Sequence, residues 1–427
     1  MFKLLTNKPL RFLIFSNTIS QFGDRLTHMV VVGLIGVLSP GRVGAFSEFA
    51  TTFTIPIIFL SPFAGILIDH WNKRNIMIRC HWIQAGLILI TPIFVYYFLA
   101  LWPVFLTVMI FFSLDLFNNV SRLSVTPEVV AKDDLMRANS LITSFARLAT
   151  FAGMIGGGYL AKLIRLDVGM LILMIPFTIN ALSHFTAGSF IIGMGKKERF
   201  EPKTRLGISL HQALRDNAQK FFSDLKELLI LVIKDRIVAF VMLTVIVIPA
   251  TSALAYTVMI YIVQQELNLG TAGVGLMGGL IGGGMLIGAL ILGSLKKRFN
   301  RGTVIIGVII FFALLLITGR FLIVFSLKYL LAIVSILIGI AFSLLSITQD
   351  TMLQEDVKKT ITGRIFATKE FIVNVSFIIS AFLFGYLSDY IGYLKVLIGA
   401  GVGLIVLAIL ALRLWPSRGL TVKTNTL

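Results

Sequence analysis

The chain has 427 residues, 57% of them hydrophobic and only 14% charged, with a mean hydropathy of +0.93. A soluble domain averages about 45–50% apolar and about 25% charged residues, so these proportions exclude a water-soluble globule and point to lipid. A formal charge of +18 raises nucleic acid as a partner, which the placement of that charge argues against below.

The apolar runs are long, among them 12–38, 46–68, 76–101 and 141–163. Each reaches the roughly 20 residues that cross a ~30 Å hydrocarbon core. Lipid cannot satisfy exposed backbone polar groups, so the spans must be helices. The period-2 alternation of an outer-membrane barrel is absent. In chain order the predicted spans are 10–38, 44–68, 76–100, 102–123, 137–163, 168–194, 237–263, 271–295, 302–324, 328–350, 363–388 and 393–415. The first run is too long for a signal peptide core and reads as a permanent span. With the N-terminus inside, thirty of the 38 basic residues fall on the inner side and six on the outer, while Arg25 and Arg147 lie within spans. This asymmetry predicts cytoplasmic termini and an even number of spans. It assigns the basic charge to topology and anionic lipid, with no nucleic-acid partner. One cysteine, Cys80, provides no disulfide framework.

Residues 195–236 form the long polar stretch, with ten basic and six acidic residues. They read as an inter-half linker, or as an amphipathic helix on the inner leaflet. The halves on either side, 1–194 and 237–427, repeat. Gly65-Ile-Leu67-Ile-Asp69-His-Trp71-Asn72-Lys73 aligns with Gly293-Ser-Leu295-Lys-Lys297-Arg-Phe299-Asn300-Arg301 at an offset of 228. Glu128 aligns with Asp350 at the end of a Ser-x-Thr segment, and Arg137 aligns with Arg364. Internal repeats with a binding site at mid-membrane mark secondary transporters.

The loop Gly65-x-Leu67-x-Asp69-x-x-x-Lys73-Arg74 resembles the signature loop of the major facilitator superfamily. Gly65 permits close helix approach, Asp69 can cap a helix or pair with a cation, and Lys73 and Arg74 hold the loop at the interface. Asn72 stands where the family usually has Gly, and Asn tolerates left-handed backbone. The resemblance implies an all-α membrane protein of twelve transmembrane helices in two pseudo-symmetric six-helix bundles. It also implies alternating access, with this loop in the inner gate. Ser20-Gln-Phe22-Gly23-Asp24-Arg25 and Thr126-Pro127-Glu128…Asp134-Leu135…Ala138-Asn139-Ser140 resemble the bacterial efflux subgroup that includes macrolide and enterobactin exporters. Lysophospholipid transporters and ferroportins share parts of that pattern.

Ionisable groups at mid-membrane are costly and are functional candidates by default. Asp24, Arg25 and His28 lie in span one, Asp115 in span four and Arg147 in span five. The resemblance places spans one and four around the central cavity, with span five flanking it, so these residues are expected to share one site. The functional reading is proton coupling, in which a carboxylate exchanges a proton against a substrate; the structural alternative is an ion pair such as Asp115–Arg147. Glu370 and Asn374, one turn apart in span eleven, read as part of an inner gate or as a mutual pair. Arg122, Glu128, Asp350 and Arg364 cluster at span ends as gating candidates, with Glu128 and Asp350 expected to pair with arginines. Glu48 reads as an outer-end group and His184 as outer-helix packing. Glycines crowd spans five and eight, mostly as close-packing residues.

Three substrates follow. The first is proton-driven export of an amphipathic small molecule into or through a phenylalanine-rich cavity. The second is a lysophospholipid, and the third a divalent metal held by Asp24 and His28. No Walker loop, nucleotide fingerprint or nucleophile motif occurs, so an ATP-driven pump or enzyme is not expected and no cofactor is implied. The expected protein is a monomer in the bacterial inner membrane, powered by a proton or other ion gradient.

Overall fold

A computed structural model describes residues 2–69, 71–131, 134–163, 170–195, 236–294, 300–324, 328–356 and 362–415, with Ser223. The linker expected at 195–236 falls almost wholly outside them, as do residues 295–299 of the second motif copy. Among the described residues the chain is all helix. After a 3₁₀ turn at Phe2–Thr6 come α1 (Lys8–Leu38), α2 (Gly44–Asp69), α3 (Lys73–Phe98), α4 (Trp102–Val129), α5 (Leu135–Leu160) and α6 (Met170–Ile192). Span seven is broken into α7 (Arg236–Val245), α8 (Val247–Leu254) and two π segments, Ala255–Met259 and Ile262–Glu266. Then follow α9 (Gly270–Ser294), α10 (Arg301–Val324), α11 (Lys328–Asp356), α12 (Thr362–Ile391) and α13 (Tyr393–Leu414).

Among the described residues, ten segments are long and apolar enough to cross a membrane. α1 and α5 have the length, 31 and 26 residues, but they carry the midspan charges Asp24, Arg25 and Arg147, which dilute their apolar content. With those two the chain has its twelve spans. Large apolar side chains such as Tyr97, Leu290 and Phe59 are exposed on the helix surfaces, as lipid contact demands.

Local signals set the helix starts. Asn7 caps α1 by accepting from Leu10 N at 3.2 Å, and its amide reaches Val129 O at 2.8 Å. Asn72 caps α3 by accepting from Asn75 N at 3.0 Å. Its backbone is extended, with φ −68°, so the left-handed conformation expected there is not used: an Asx cap satisfies an otherwise orphan N–H of α3.

The helices group into two compact units. One comprises Met1–Phe221 with Tyr256–Gly279, the other Phe222–Ala255 with Leu280–Leu427. The first is built around buried Leu26, Val30, Phe46, Phe49, Phe177 and Val263. The second is built around Phe240, Val241, Ile309, Phe312 and Leu345. In the first unit α5 rests on α1 through glycines one turn apart. A Cβ on Gly153 would strike the carbonyl of Phe22, and one on Gly157 the backbone of Leu26. Such small-residue seams let transmembrane helices approach to backbone contact. In the second unit Gly284 of α9 and Gly339 of α11 meet in the same way.

Candidate functional site

Gly23 places the site. A side chain there would collide with Asn180 and Ser183 of α6, so glycine lets α1 and α6 close up just where α1 carries Asp24. The neighbouring cavity lies within the first unit. Its polar lining includes Asp24, Arg25 and His28 from α1 and Asp115 from α4. Its apolar wall includes Phe49, Phe111, Phe112 and Phe177.

The Asp24 Oδ1 atom lies 2.7 Å from Nε2 of His184, whose side chain is 1% exposed. The other ring nitrogen of His184, Nδ1, is 3.1 Å from Nδ1 of His81 on α3. His81 Nε2 in turn lies 3.4 Å from Ser16 Oγ on α1. Both imidazoles are buried and neither lines the cavity. Phe111 of the cavity wall meets His184 in a T-shaped ring contact at 5.2 Å and 87°. Gly188 brings α3 and α6 together here, since a Cβ on it would press on Trp82 and His81. The outer-packing role expected for His184 is therefore corrected, and His81 was not singled out at all. The available signal was the polar run Asn180, Ser183, His184 on one helix face, opposite a glycine beside an intramembrane acid.

Asp115 accepts a hydrogen bond from Asn119 at 2.9 Å, and Asn119 accepts from Arg122 at 3.3 Å. Arg147 does not share this cavity. It is exposed on α5, because Gly153, six residues on and roughly 120° around the helix, faces α1 instead. His28 meets the Tyr256 hydroxyl at 3.0 Å and packs against Phe49 and Phe53. Arg25 differs from these groups: its Nε is buried and finds no hydrogen-bond partner among the described residues.

At the other end of these helices, the signature loop holds three helix ends. Lys73 pairs with Glu128 of α4 at 2.7 Å, with both side chains about 15% exposed or less. Arg74 donates to Ile191 O at 3.3 Å and Ile192 O at 2.6 Å, supplying cationic donors to the final carbonyls of α6. In the second unit Asp350, the repeat partner of Glu128, pairs with Lys369. Lysines thus take the places expected for arginines; a compact ammonium can reach one carboxylate oxygen without the planar fit a guanidinium needs. The side chains of Asp69 and Arg364 lie outside the described residues, and Gly65 lies within α2. Glu370 is exposed and its carbonyl accepts from Asn374 at 2.8 Å. Glu48 pairs with Arg42 at 2.9 Å near the start of α2.

Because the Lys73–Glu128 pair is largely buried, removing one partner strands a charge. Lys73→Gln is expected to lower stability by about 1–3 kcal/mol. The double variant Lys73→Gln/Glu128→Gln should recover most of that. Thermal unfolding in detergent measures both; equal losses in the single and double variants would show that the pair does not couple these helices.

Residues 13–376 match the family model described as Major Facilitator Superfamily. The chain belongs to that superfamily. No curated protein sequence matches it. Solved structures share the fold at low identity. A variant of the nucleoside transporter NupG is 14% identical with a TM-score of 0.70, covering 96% of this chain and 99% of its own. A bacterial homologue of the iron transporter ferroportin, in an inward-facing state, is 14% identical with a TM-score of 0.71, covering 94% and 98%. A bacterial homologue of the human lysosomal transporter Spinster is 12% identical with a TM-score of 0.70, covering 96% and 98%. This superfamily member is therefore a multi-pass membrane transporter.

Proposed function

We propose that the chain is a secondary active transporter that exports an amphipathic small molecule in exchange for protons. One observation carries the reading: a single cavity joins a wall of phenylalanines to two carboxylates, Asp24 and Asp115, and the guanidinium of Arg25. The rings accept an apolar body, and the charged groups fix a polar end. A carboxylate in that position binds either a proton or a substrate donor, and this competition is the basis of exchange. Lys73, Arg74, Glu128, Asp350 and Lys369 hold helix ends whose pairings would break and re-form as access alternates. The protein acts as a monomer in the bacterial inner membrane, with both termini cytoplasmic.

Efflux of a lipophilic cationic dye from proteoliposomes tests the reading. Efflux should accelerate when an inward-directed pH gradient is imposed and return to the leak rate when the gradient is collapsed. Equal rates in both conditions across a panel of such dyes would overturn it.

A lysophospholipid is the second reading, favoured by the buried Nε of Arg25, which has no hydrogen-bond partner among the described residues and is a donor suited to a phosphate. Divalent-metal export gains nothing from the described residues, among which no group of three or more His, Cys, Asp or Glu is placed to hold a metal ion.

A further inference from the structure

The geometry points to a buried proton array, Asp24–His184–His81, that carries the coupling proton to and from the cavity-lining carboxylate of Asp24 by a route outside the substrate cavity. The inference rests on the proton-coupled reading above. Three facts carry it. The contacts at 2.7 and 3.1 Å form an unbroken chain from α1 through α6 to α3. Both imidazoles are 1% exposed. Neither imidazole lines the cavity that Asp24 lines, and Phe111 of the cavity wall packs on His184.

Hydrogen-bond direction makes the chain a reversible device. An ionised carboxylate only accepts, so His184 Nε2 must carry the hydrogen that faces Asp24. In a neutral ring Nδ1 of His184 is then bare and accepts from Nδ1–H of His81. That leaves His81 Nε2 bare, to accept from the Ser16 hydroxyl at 3.4 Å. Every donor points toward Asp24. Now add one proton at His81 Nε2. The Nε2–H bond forms, the His81 Nδ1–H bond breaks, and its proton passes to His184 Nδ1. The His184 Nε2–H bond breaks, and its proton forms O–H on Asp24. One proton has entered, one carboxylate has been neutralised, and no ring has turned. In the product every donor points the other way: Asp24 to His184, His184 to His81, His81 to Ser16. Both end states satisfy all four ring nitrogens of His81 and His184, which is what an array that loads and unloads requires.

The charged and titratable groups around it are few. Arg25 and His28 lie on α1 and Cys80 beside His81 on α3. On α4, Asp115 is near enough to interact with Asp24, His184, Arg25 and Arg122. Arg147 on α5 is exposed. A cationic substrate at Asp24 would therefore hold the carboxylate ionised and expel the proton through the histidines, coupling the two movements without a shared path.

The first test replaces each imidazole by an amide, in His184→Gln and His81→Gln, and follows dye efflux from proteoliposomes across a pH series. Gradient-driven efflux is expected to fall by about tenfold or more and its pH profile to flatten, with dye exchange at equal pH falling less. Wild-type rates and pH profile in both variants would overturn the array while leaving the transport reading intact. A wild type that moves no dye would instead count against the transport reading. The second test needs no variant: ¹⁵N-histidine spectra of the purified wild-type protein through a pH titration. His81 and His184 should exchange tautomers together. Independent switching, or fixed tautomers throughout, would overturn the array even if the variants failed to fold.

Discussion

Asp24→Asn is expected to cut gradient-driven dye efflux by about 100-fold or more, while the variant folds and still exchanges dye across the membrane at equal pH. The amide is nearly isosteric with the carboxylate. Its oxygen can still accept from His184 Nε2, which lies 2.7 Å from Oδ1 in the native chain, so the α1–α6 contact survives. What would be lost is the proposed proton site at the cavity wall. Exchange moves substrate without net proton transfer and should be spared more than net efflux. Asp115→Asn should be milder, because Asp115 already takes a neutral hydrogen bond from Asn119 and makes no ion pair among the described residues. The readout is initial efflux rate with and without the gradient, set against the exchange rate. A loss of both rates in parallel would mean that Asp24 anchors substrate or holds the fold, and is not the coupling group.

Gly157→Leu is expected to destabilise the protein by about 3 kcal/mol or more. A Cβ at this position would meet the carbonyl and Cα of Leu26, which are backbone atoms and cannot rotate away. The added side chain would force α5 off α1, opening the seam that Gly153 and Gly157 form. Gly156 is the control within the same turn. A Cβ there meets nothing within 4 Å, so Gly156→Ala should change stability by no more than about 1 kcal/mol, with Ala the better helix former. Thermal unfolding in one detergent, for both variants, measures the contrast. Similar midpoints would contradict the packing of α5 on α1.

The spans and the family were legible because they depend on local properties. Apolar run length, the asymmetry of Lys and Arg, and the loop from Gly65 to Arg74 each sit within a short window of sequence. Asp24, Arg25, His28 and Asp115 stood out because a charge inside an apolar run is visible without knowing its neighbours. The contacts among them were not visible. Which group Asp24 meets depends on how closely α6 approaches α1, and that is decided by Gly23 against Asn180 and Ser183, residues some 160 positions apart. Arg147 shows the converse. Its place within a span made it a candidate, but helix rotation puts it on the exposed face of α5. Asn72 was read for its tolerance of left-handed backbone when its use is its side-chain oxygen, which caps α3. Glu128 and Asp350 were recognisable as repeat partners, yet the lysines that pair with them come from different helices, α3 and α12, a difference the repeat does not carry.

The central claim is that substrate and proton movements are coupled, and coupling between two ligands is reciprocal. The most direct measurement follows internal pH in proteoliposomes that begin with no pH gradient, while an outward gradient of the dye is imposed. The account predicts that dye leaving the vesicle drives protons in, acidifying the lumen in wild type and leaving it unchanged in Asp24→Asn. Dye efflux from wild type with no change in internal pH would contradict it.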